Sequence, residues 1–172
     1  MSPDSMSFSP VSDAQPEPCA RNLPELVAAV EAVRRRPVID LGQALVELRA
    51  IDPDTLARLR RDDPERLRAR AHELVEQVLV SEDDFQRAMA RVAGVVEVDA
   101  ARFELDRHAF EVLSMREARW HDVLPLGPAL DHFVVASWKP TSTDLQRQLS
   151  TVTSHAVLLV WGQREAIEGR LA

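Results

Sequence analysis

Hydrophobic residues recur at helical spacing in the first half of the chain, after an opening stretch that has no such period. Residues 1–22 are rich in serine, proline and aspartate, a composition that predicts a disordered leader. From Leu23 to Val33, apolar residues return every three or four positions, and Pro37 then interrupts the pattern. These positions predict one amphipathic helix between the leader and Pro37.

The middle of the chain contains an internal repeat with an offset of 29 residues. Leu45-Val46-Glu47 aligns with Leu74-Val75-Glu76, and Asp52 aligns with Ser81. In each copy the pattern predicts a short helix, a turn, an N-cap at Asp52 or Ser81, and a second helix. Because two such helix pairs can bury their apolar faces against each other, residues 23–94 are predicted to form a helical subdomain.

After Gly94 the pattern changes to short β-branched and apolar runs separated by helical spacing. Two apolar runs flank Gly127-Pro128, which is predicted to be a hairpin turn, and a third run covers residues 155–161. The sequence therefore predicts an α+β fold, in which the helical repeat subdomain is followed by a small βαβ-type sheet-and-helix subdomain over residues 95–172. The helices predicted in this second subdomain begin at Asp106, at Ser142 or Thr143, and at Gly162.

Composition and charge exclude several classes of protein. Hydrophobic residues make up 45% and charged residues 28%, which is typical of a globular chain, and the apolar run at 156–161 is too short to cross a bilayer. Residues 1–12 lack the basic and apolar blocks of a signal peptide, so we expect a cytoplasmic protein without membrane insertion. The net charge of −7 argues against nucleic acid as a partner.

The side chains that carry chemistry do not form a known catalytic or metal-binding motif. The five glycines never cluster and the only lysine is Lys139, which excludes the phosphate-binding loop of an ATPase. The five histidines lie on separate predicted elements, so no metal site is predicted. A hydrolase triad would require His121, His132 and Ser137 to converge without a nucleophile-elbow motif. We therefore predict no enzyme activity and no catalytic residue.

Two tryptophans are informative about packing and partners. Trp161 ends an apolar strand and is predicted to lie in the core. Trp138 stands beside Lys139-Pro140 at the end of another strand and is predicted to be more exposed than Trp161. Packing in the core or at its rim is the favoured role of Trp138, and a partner surface is the alternative.

Taken in chain order, several segments resemble one protein family. They are Leu41-Gly42-Gln43-Ala44-Leu45-Val46, Leu74-Val75-Glu76, the Ala118–Leu126 block and Phe133-Val134-Val135-Ala136. This order is similar to that of the N-terminal domain of the type II secretion ATPase, general secretory pathway protein E, and of related type IV pilus assembly ATPases, known as the MshEN-type domain. The resemblance covers residues 38–171.

The resemblance implies a non-catalytic protein-interaction or regulatory module that lacks the ATPase motor. Its expected partner is a protein, a component of the inner-membrane platform of a secretion or pilus system, and no cofactor is required for that role. The helical half would bind or brace the partner, and the α+β half would supply a rigid scaffold.

The resemblance also implies an alternative, a sensor of cyclic di-GMP with degenerate motifs, because several family members bind this ligand through the two repeats. The arginine that opens the family's first motif is Asp40 here, and the family's turn glycines are Arg49 and Val78. A carboxylate in place of the arginine repels a dianionic ligand. The contact candidates that remain for this ligand are Leu41, Gly42 and Leu45.

Overall fold

The computed structural model describes residues 19–172, so the predicted leader lies outside the described residues as far as position 18. At Ala20 the leader prediction is wrong, because this residue is buried and pairs with the rest of the protein. The N–H of Ala20 donates to the carbonyl of Glu97 at 3.3 Å, and the N–H of Asp99 donates to the carbonyl of Ala20 at 2.9 Å. These bonds pair backbone N–H and C=O groups at the edge of the sheet. The pattern of apolar residues in the sequence does not reveal such backbone pairing.

Six helices form the amino-terminal part of the described chain, and polar side chains cap the starts of four of them. Asn22 accepts a hydrogen bond from the N–H of Glu25 at 2.9 Å, and Asp52 and Ser81 cap the second helix of each repeat copy, as predicted. The helices are α1 (Leu23–Arg34), α2 (Leu41–Glu47), α3 (Pro53–Asp62), α4 (Pro64–Arg68), α5 (Glu73–Glu76) and α6 (Glu82–Val92).

The carboxyl-terminal part is built around a three-stranded sheet. Its elements are α7 (Ala109–Val112), α8 (Met115–His121), β1 (Val123–Ala129), β2 (His132–Ser137), α9 (Thr143–Thr153), β3 (Val157–Trp161) and α10 (Arg164–Leu171). β1 and β2 are antiparallel, whereas β2 and β3 are parallel and are joined by α9. The segment around Glu97 extends the sheet beyond β3, because the N–H of Trp161 donates to the carbonyl of Val96 at 2.8 Å. The predicted α+β class with a βαβ-type unit is confirmed.

Two local predictions in this part are wrong. Gly127-Pro128 is not the hairpin turn but lies within β1, where the pairing with β2 shifts register. The turn is made by Leu130 and Asp131, whose φ angles of 53° and 59° match a type I′ turn. The single helix predicted before the hairpin is divided into α7 and α8, because Leu113 is extended and buried and Ser114 caps a new helix.

Two separate clusters of buried residues stabilise the chain. One surrounds the sheet and includes Leu26 of α1, and the other lies among α2 to α6 around Leu45 and Leu74. Because α1 packs against β1, it does not belong to the helical subdomain predicted over residues 23–94. We refer to residues 19–36 and 93–172 as the sheet unit, and to residues 37–92 as the repeat unit.

The two units also meet through charged side chains. Arg87 of α6 donates to the carboxylate of Glu97 at 3.1 and 2.8 Å, and Lys139 lies 3.3 Å from Glu82. No helix within residues 19–172 is long and apolar enough to span a membrane.

Candidate functional site

Both copies of the repeat turn between their helices through the same backbone geometry. Arg49 and Val78 have φ angles of 59° and 56°, in the left-handed region that favours glycine. In the second copy the N–H of Leu79 donates to the carbonyl of Leu74 at 2.9 Å, and the first copy has the equivalent bond at 2.8 Å. This pattern is the Schellman motif that ends helices. The two positions of the family's turn glycine are therefore equivalent in structure, although neither residue is glycine.

A cleft of about 270 Å³ opens beside the start of α2. Leu41 and Gly42, two of the predicted contact residues, line the cleft. A side chain at Gly42 would force Leu56 to move, because its Cβ would lie 2.5 Å from Cδ1 of Leu56. The other residues that line the cleft are Asp40, Arg60, Pro64, Leu67 and Arg68.

Leu45, the third predicted contact residue, lies in the core of the repeat unit and has no exposed surface. Leu41 is also largely buried, with 8% of its surface exposed. Residues four positions apart share one face of a helix, and this face of α2 packs inward. A ligand in the cleft would therefore touch the backbone and edge of Leu41 and Gly42 but not the side chain of Leu45.

Asp40 fixes the charge at the edge of the cleft. Its Oδ1 accepts a hydrogen bond from the N–H of Gln43 at 2.8 Å, and its Oδ2 pairs with Arg60 at 2.8 Å. The charge of Arg60 is balanced by this pair, and Arg68 contributes a further guanidinium to the lining. A dianionic ligand is best bound by several convergent cations, so an ion pair next to one further arginine is a weak site for it.

The second copy places an arginine where the first copy has Leu41. Arg70 donates to both carboxylate oxygens of Asp63, at 2.8 and 2.7 Å, and lies 3.5 Å from Glu73. Its guanidinium thus links the start of α4 to the start of α5. This arginine serves to hold short helices together.

The three residues of the hypothetical hydrolase triad do not converge. His132 and Ser137 lie at opposite ends of the β1–β2 ladder. The hydroxyl of Ser137 is buried and accepts a hydrogen bond from the N–H of Lys139 at 3.0 Å. Within residues 19–172, no group of three or more His, Cys, Asp or Glu side chains is placed to hold a metal ion.

The tryptophans differ from the prediction at one position. Trp161 lies in the core as predicted. Trp138 is less exposed than predicted, at 9%, which agrees with the favoured packing in the core or at its rim and not with the alternative of a partner surface. The side chains of Lys139 and Arg164 lie over its ring, 4.0 and 4.6 Å from the centroid, and these cation–π contacts cover it. Trp120 of α8, which lies in the block that carries the resemblance, is 81% exposed.

Comparison with known proteins gives a family match for residues 93–172 and similar solved structures for most of the chain. Residues 93–172 match the family model of the MshEN domain. The structure of MshE with cdg has a TM-score of 0.53 and 19% sequence identity, covering 77% of this chain and 96% of that chain. The N-terminal domain of XpsE has a TM-score of 0.46 and 25% identity, covering 75% of this chain and 90% of that chain. No curated protein sequence matches this chain.

The family model covers the sheet unit from the end of α6 to the end of α10. The similarity to MshE extends over most of the described chain, which indicates that the repeat unit and the sheet unit occur together in that fold. The resemblance predicted from the order of sequence segments is confirmed. Residues 93–172 are similar to the MshEN domain, and the chain resembles the N-terminal domains of type II secretion and pilus ATPases.

Proposed function

We propose that this chain is a non-catalytic interaction module that works in the cytoplasm and docks onto a protein of the inner-membrane platform of a secretion or pilus system. The observation that carries the proposal is the MshEN match over residues 93–172. That domain is the amino-terminal, regulatory part of such ATPases and not their motor. A domain of this kind acts by binding, so its surface and not a catalytic centre determines what it does.

The local roles of the polar side chains support a binding module. Nδ1 of His132 lies 2.6 Å from the carbonyl of Leu130, and Nδ1 of His155 lies 2.6 Å from the carbonyl of Thr153. Together with the buried hydroxyl of Ser137, these groups stabilise turns and strand ends. Side chains committed in this way are not positioned to act on a substrate.

The proposal is tested by co-purification. The full chain is mixed with the cytoplasmic domain of each inner-membrane platform protein encoded in the same genome, and complexes are separated by size-exclusion chromatography. We expect one of these domains to elute with the chain at a fixed ratio, while the corresponding domain from a distant system does not. Failure of every such domain to form a complex would contradict the proposal.

A second candidate function is the binding of cyclic di-GMP. The observation that favours it is the cleft at Leu41 and Gly42, where Arg60 and Arg68 contribute two guanidinium groups, in a fold similar to that of MshE with cdg. The carboxylate of Asp40 in the same lining opposes it.

Isothermal titration calorimetry with cyclic di-GMP decides this second candidate. Binding at the cleft would give saturable heat that Arg68→Ala abolishes and Arg58→Ala preserves, since Arg58 lies on α3 but does not line the cleft. Gly42→Arg is unsuitable as a test, because the new side chain would collide with Leu56 and disturb the fold. An absence of heat from the wild-type chain at high micromolar ligand rejects the candidate.

A further inference from the structure

We propose that the exposed face of α8 is a docking surface for an acidic segment of the partner protein. The proposal rests on the proposed function and names the surface that performs it. Trp120 is 81% exposed although it is a large apolar side chain. Leaving that much apolar surface in water is unfavourable, and tryptophan is the residue type most enriched among those that dominate binding energy in protein interfaces.

The exposed side of α8 carries a defined set of residues. Met115 and Arg119 are four positions apart, as are Arg116 and Trp120, so the four side chains share one continuous face of the helix. All four are exposed, whereas Ala118 on the opposite side is fully buried in the sheet unit. Tryptophan, methionine and arginine are the types enriched at interfaces, whereas lysine and glutamate are depleted there.

The α8 face is held rigidly, which lowers the entropy cost of binding. Ser114 caps the start of α8 by accepting a hydrogen bond from the N–H of Glu117 at 3.2 Å. Arg119 donates from Nε to the carbonyl of Leu171 at 2.6 Å, which anchors the side chain to the end of α10. A preorganised face loses less conformational freedom when a partner docks.

Charge indicates the chemistry of the partner. The chain as a whole has a net charge of −7, yet the α8 face carries Arg116 and Arg119. The guanidinium of Arg119 is engaged with main-chain oxygens of Leu171 and Ala172, whereas the guanidinium of Arg116 makes no hydrogen bond or ion pair with any of the described residues. A carboxylate of a partner can therefore pair with the face while an apolar side chain packs on Trp120.

A protein segment fits the α8 face better than an anionic membrane does. Recognition of acidic lipids typically uses clusters of about four to eight basic residues, and the face has two arginines. A membrane would also present negative charge to a wide area of a chain whose net charge is −7. A protein segment contacts the patch alone and avoids that repulsion.

The test uses the full chain and the platform domain that co-purifies with it, with the dissociation constant measured by calorimetry. Trp120→Ala and Arg116→Glu should each raise the dissociation constant by about tenfold or more. The controls are Val38→Ala, which truncates another exposed apolar side chain, and Arg61→Glu, which reverses another exposed arginine; both lie in the repeat unit and should change the dissociation constant by no more than about twofold. Far-UV circular dichroism confirms that all four variants are folded.

The possible outcomes separate the two proposals. If no platform domain binds the wild-type chain, the proposed function fails and this inference fails with it. If a domain binds but the repeat-unit variants weaken the complex while Trp120→Ala and Arg116→Glu do not, the inference alone is overturned. Binding of the wild-type chain to vesicles of anionic phospholipid, lost in Arg116→Glu, would also overturn it by making a membrane the occupant.

Discussion

The sheet unit and the repeat unit of this protein are stabilised in different ways. Within the described residues 19–172, 22 buried residues form the core of the sheet unit and 9 form that of the repeat unit. The sheet unit brings together distant segments, from Ala20 to Leu171, whereas the repeat unit joins short neighbouring helices through turns at Arg49 and Val78. A small core with local contacts opens more easily than a large one. The difference indicates a stable scaffold and a more adaptable insertion.

The contacts at the junction bear on whether the repeat unit can open without the sheet unit. The polar contacts of the junction include the Lys139–Glu82 pair at 3.3 Å and the position of Arg87, 5.1 Å from the ring centroid of Trp161. The exposed Lys139–Glu82 pair contributes little net stability, whereas the partly buried Arg87–Glu97 pair is the stronger link between the units. We expect local opening of the repeat unit to leave the core of the sheet unit intact, because the two clusters of buried residues are separate.

The largest expected effects come from the same truncation in each unit. Leu124→Ala and Leu45→Ala each remove a fully buried side chain and should cost about 2–5 kcal/mol of unfolding free energy. Leu124→Ala should weaken the whole chain, whereas Leu45→Ala should speed amide exchange within residues 41–92 and spare β2. Urea denaturation and hydrogen exchange by mass spectrometry measure both. Equal acceleration of exchange in β2 by Leu45→Ala would show that the units unfold together.

A smaller effect should come from glycine replacement, with opposite signs in the two units. Gly42→Ala places a Cβ 2.5 Å from Leu56 and should destabilise the repeat unit by about 1–3 kcal/mol. Gly169→Ala on α10 meets no atom within 4 Å and should stabilise its helix by about 1 kcal/mol. Thermal denaturation of the two variants checks the difference. A stabilising Gly42→Ala would mean that α2 and α3 are not packed as closely as described.

The turn at Val78 offers a way to strengthen the repeat unit. Val78→Gly should stabilise it by about 0.5–1 kcal/mol, because relief of the left-handed conformation outweighs the greater freedom of glycine in the unfolded chain. Val78 is 88% exposed, so little packing is lost. The control is Val38→Gly, at a position that is 96% exposed but has no positive φ, and it should bring no gain. Chemical denaturation of both variants decides the matter.

The smallest expected effect is a dependence on pH that distinguishes the two repeat copies. Hydrogen bonds from the hydroxyl and the N–H of Thr55 lower the pKa of Asp52, which caps α3. A lowered carboxyl pKa means that stability is present above the ordinary value and is lost as pH falls through the depressed one. Asp52→Asn should therefore flatten the stability curve in acid. Ser81→Ala, which removes an uncharged cap in the second copy, should leave that part of the curve unchanged.

Local chemistry explains which features the sequence pattern predicts correctly. The caps at Asp52 and Ser81 and the repeat offset depend only on neighbouring residues, so residue types and spacing are enough to identify them. Gly127 has the residue type of a turn, but in this fold glycine serves close packing. A Cβ there would lie 2.6 Å from Cβ of Asp106, a contact between segments that are distant along the chain.

The candidate site residues also divide into those whose burial local spacing predicts and those whose surroundings depend on distant segments. Leu41 and Leu45 are four positions apart, and this helical spacing is a usable signal that both lie on the face that packs inward. Trp120 lies off the side of α8 that Ala118 buries, but which side of α8 is buried is known only from the folded molecule. Trp138 offers no such signal, because Lys139 and Arg164 cover it and Arg164 comes from another element.

The α+β class, the helix pairs of the repeat and most helix starts follow from the residue pattern. They depend on spacing, capping and turn preferences within a few residues. In contrast, the packing of α1 on the sheet unit, the covering of Trp138 and the exposure of Trp120 emerge only in the folded molecule. An amphipathic pattern shows that a helix has an apolar face, but which surface that face meets depends on packing between segments far apart in the chain.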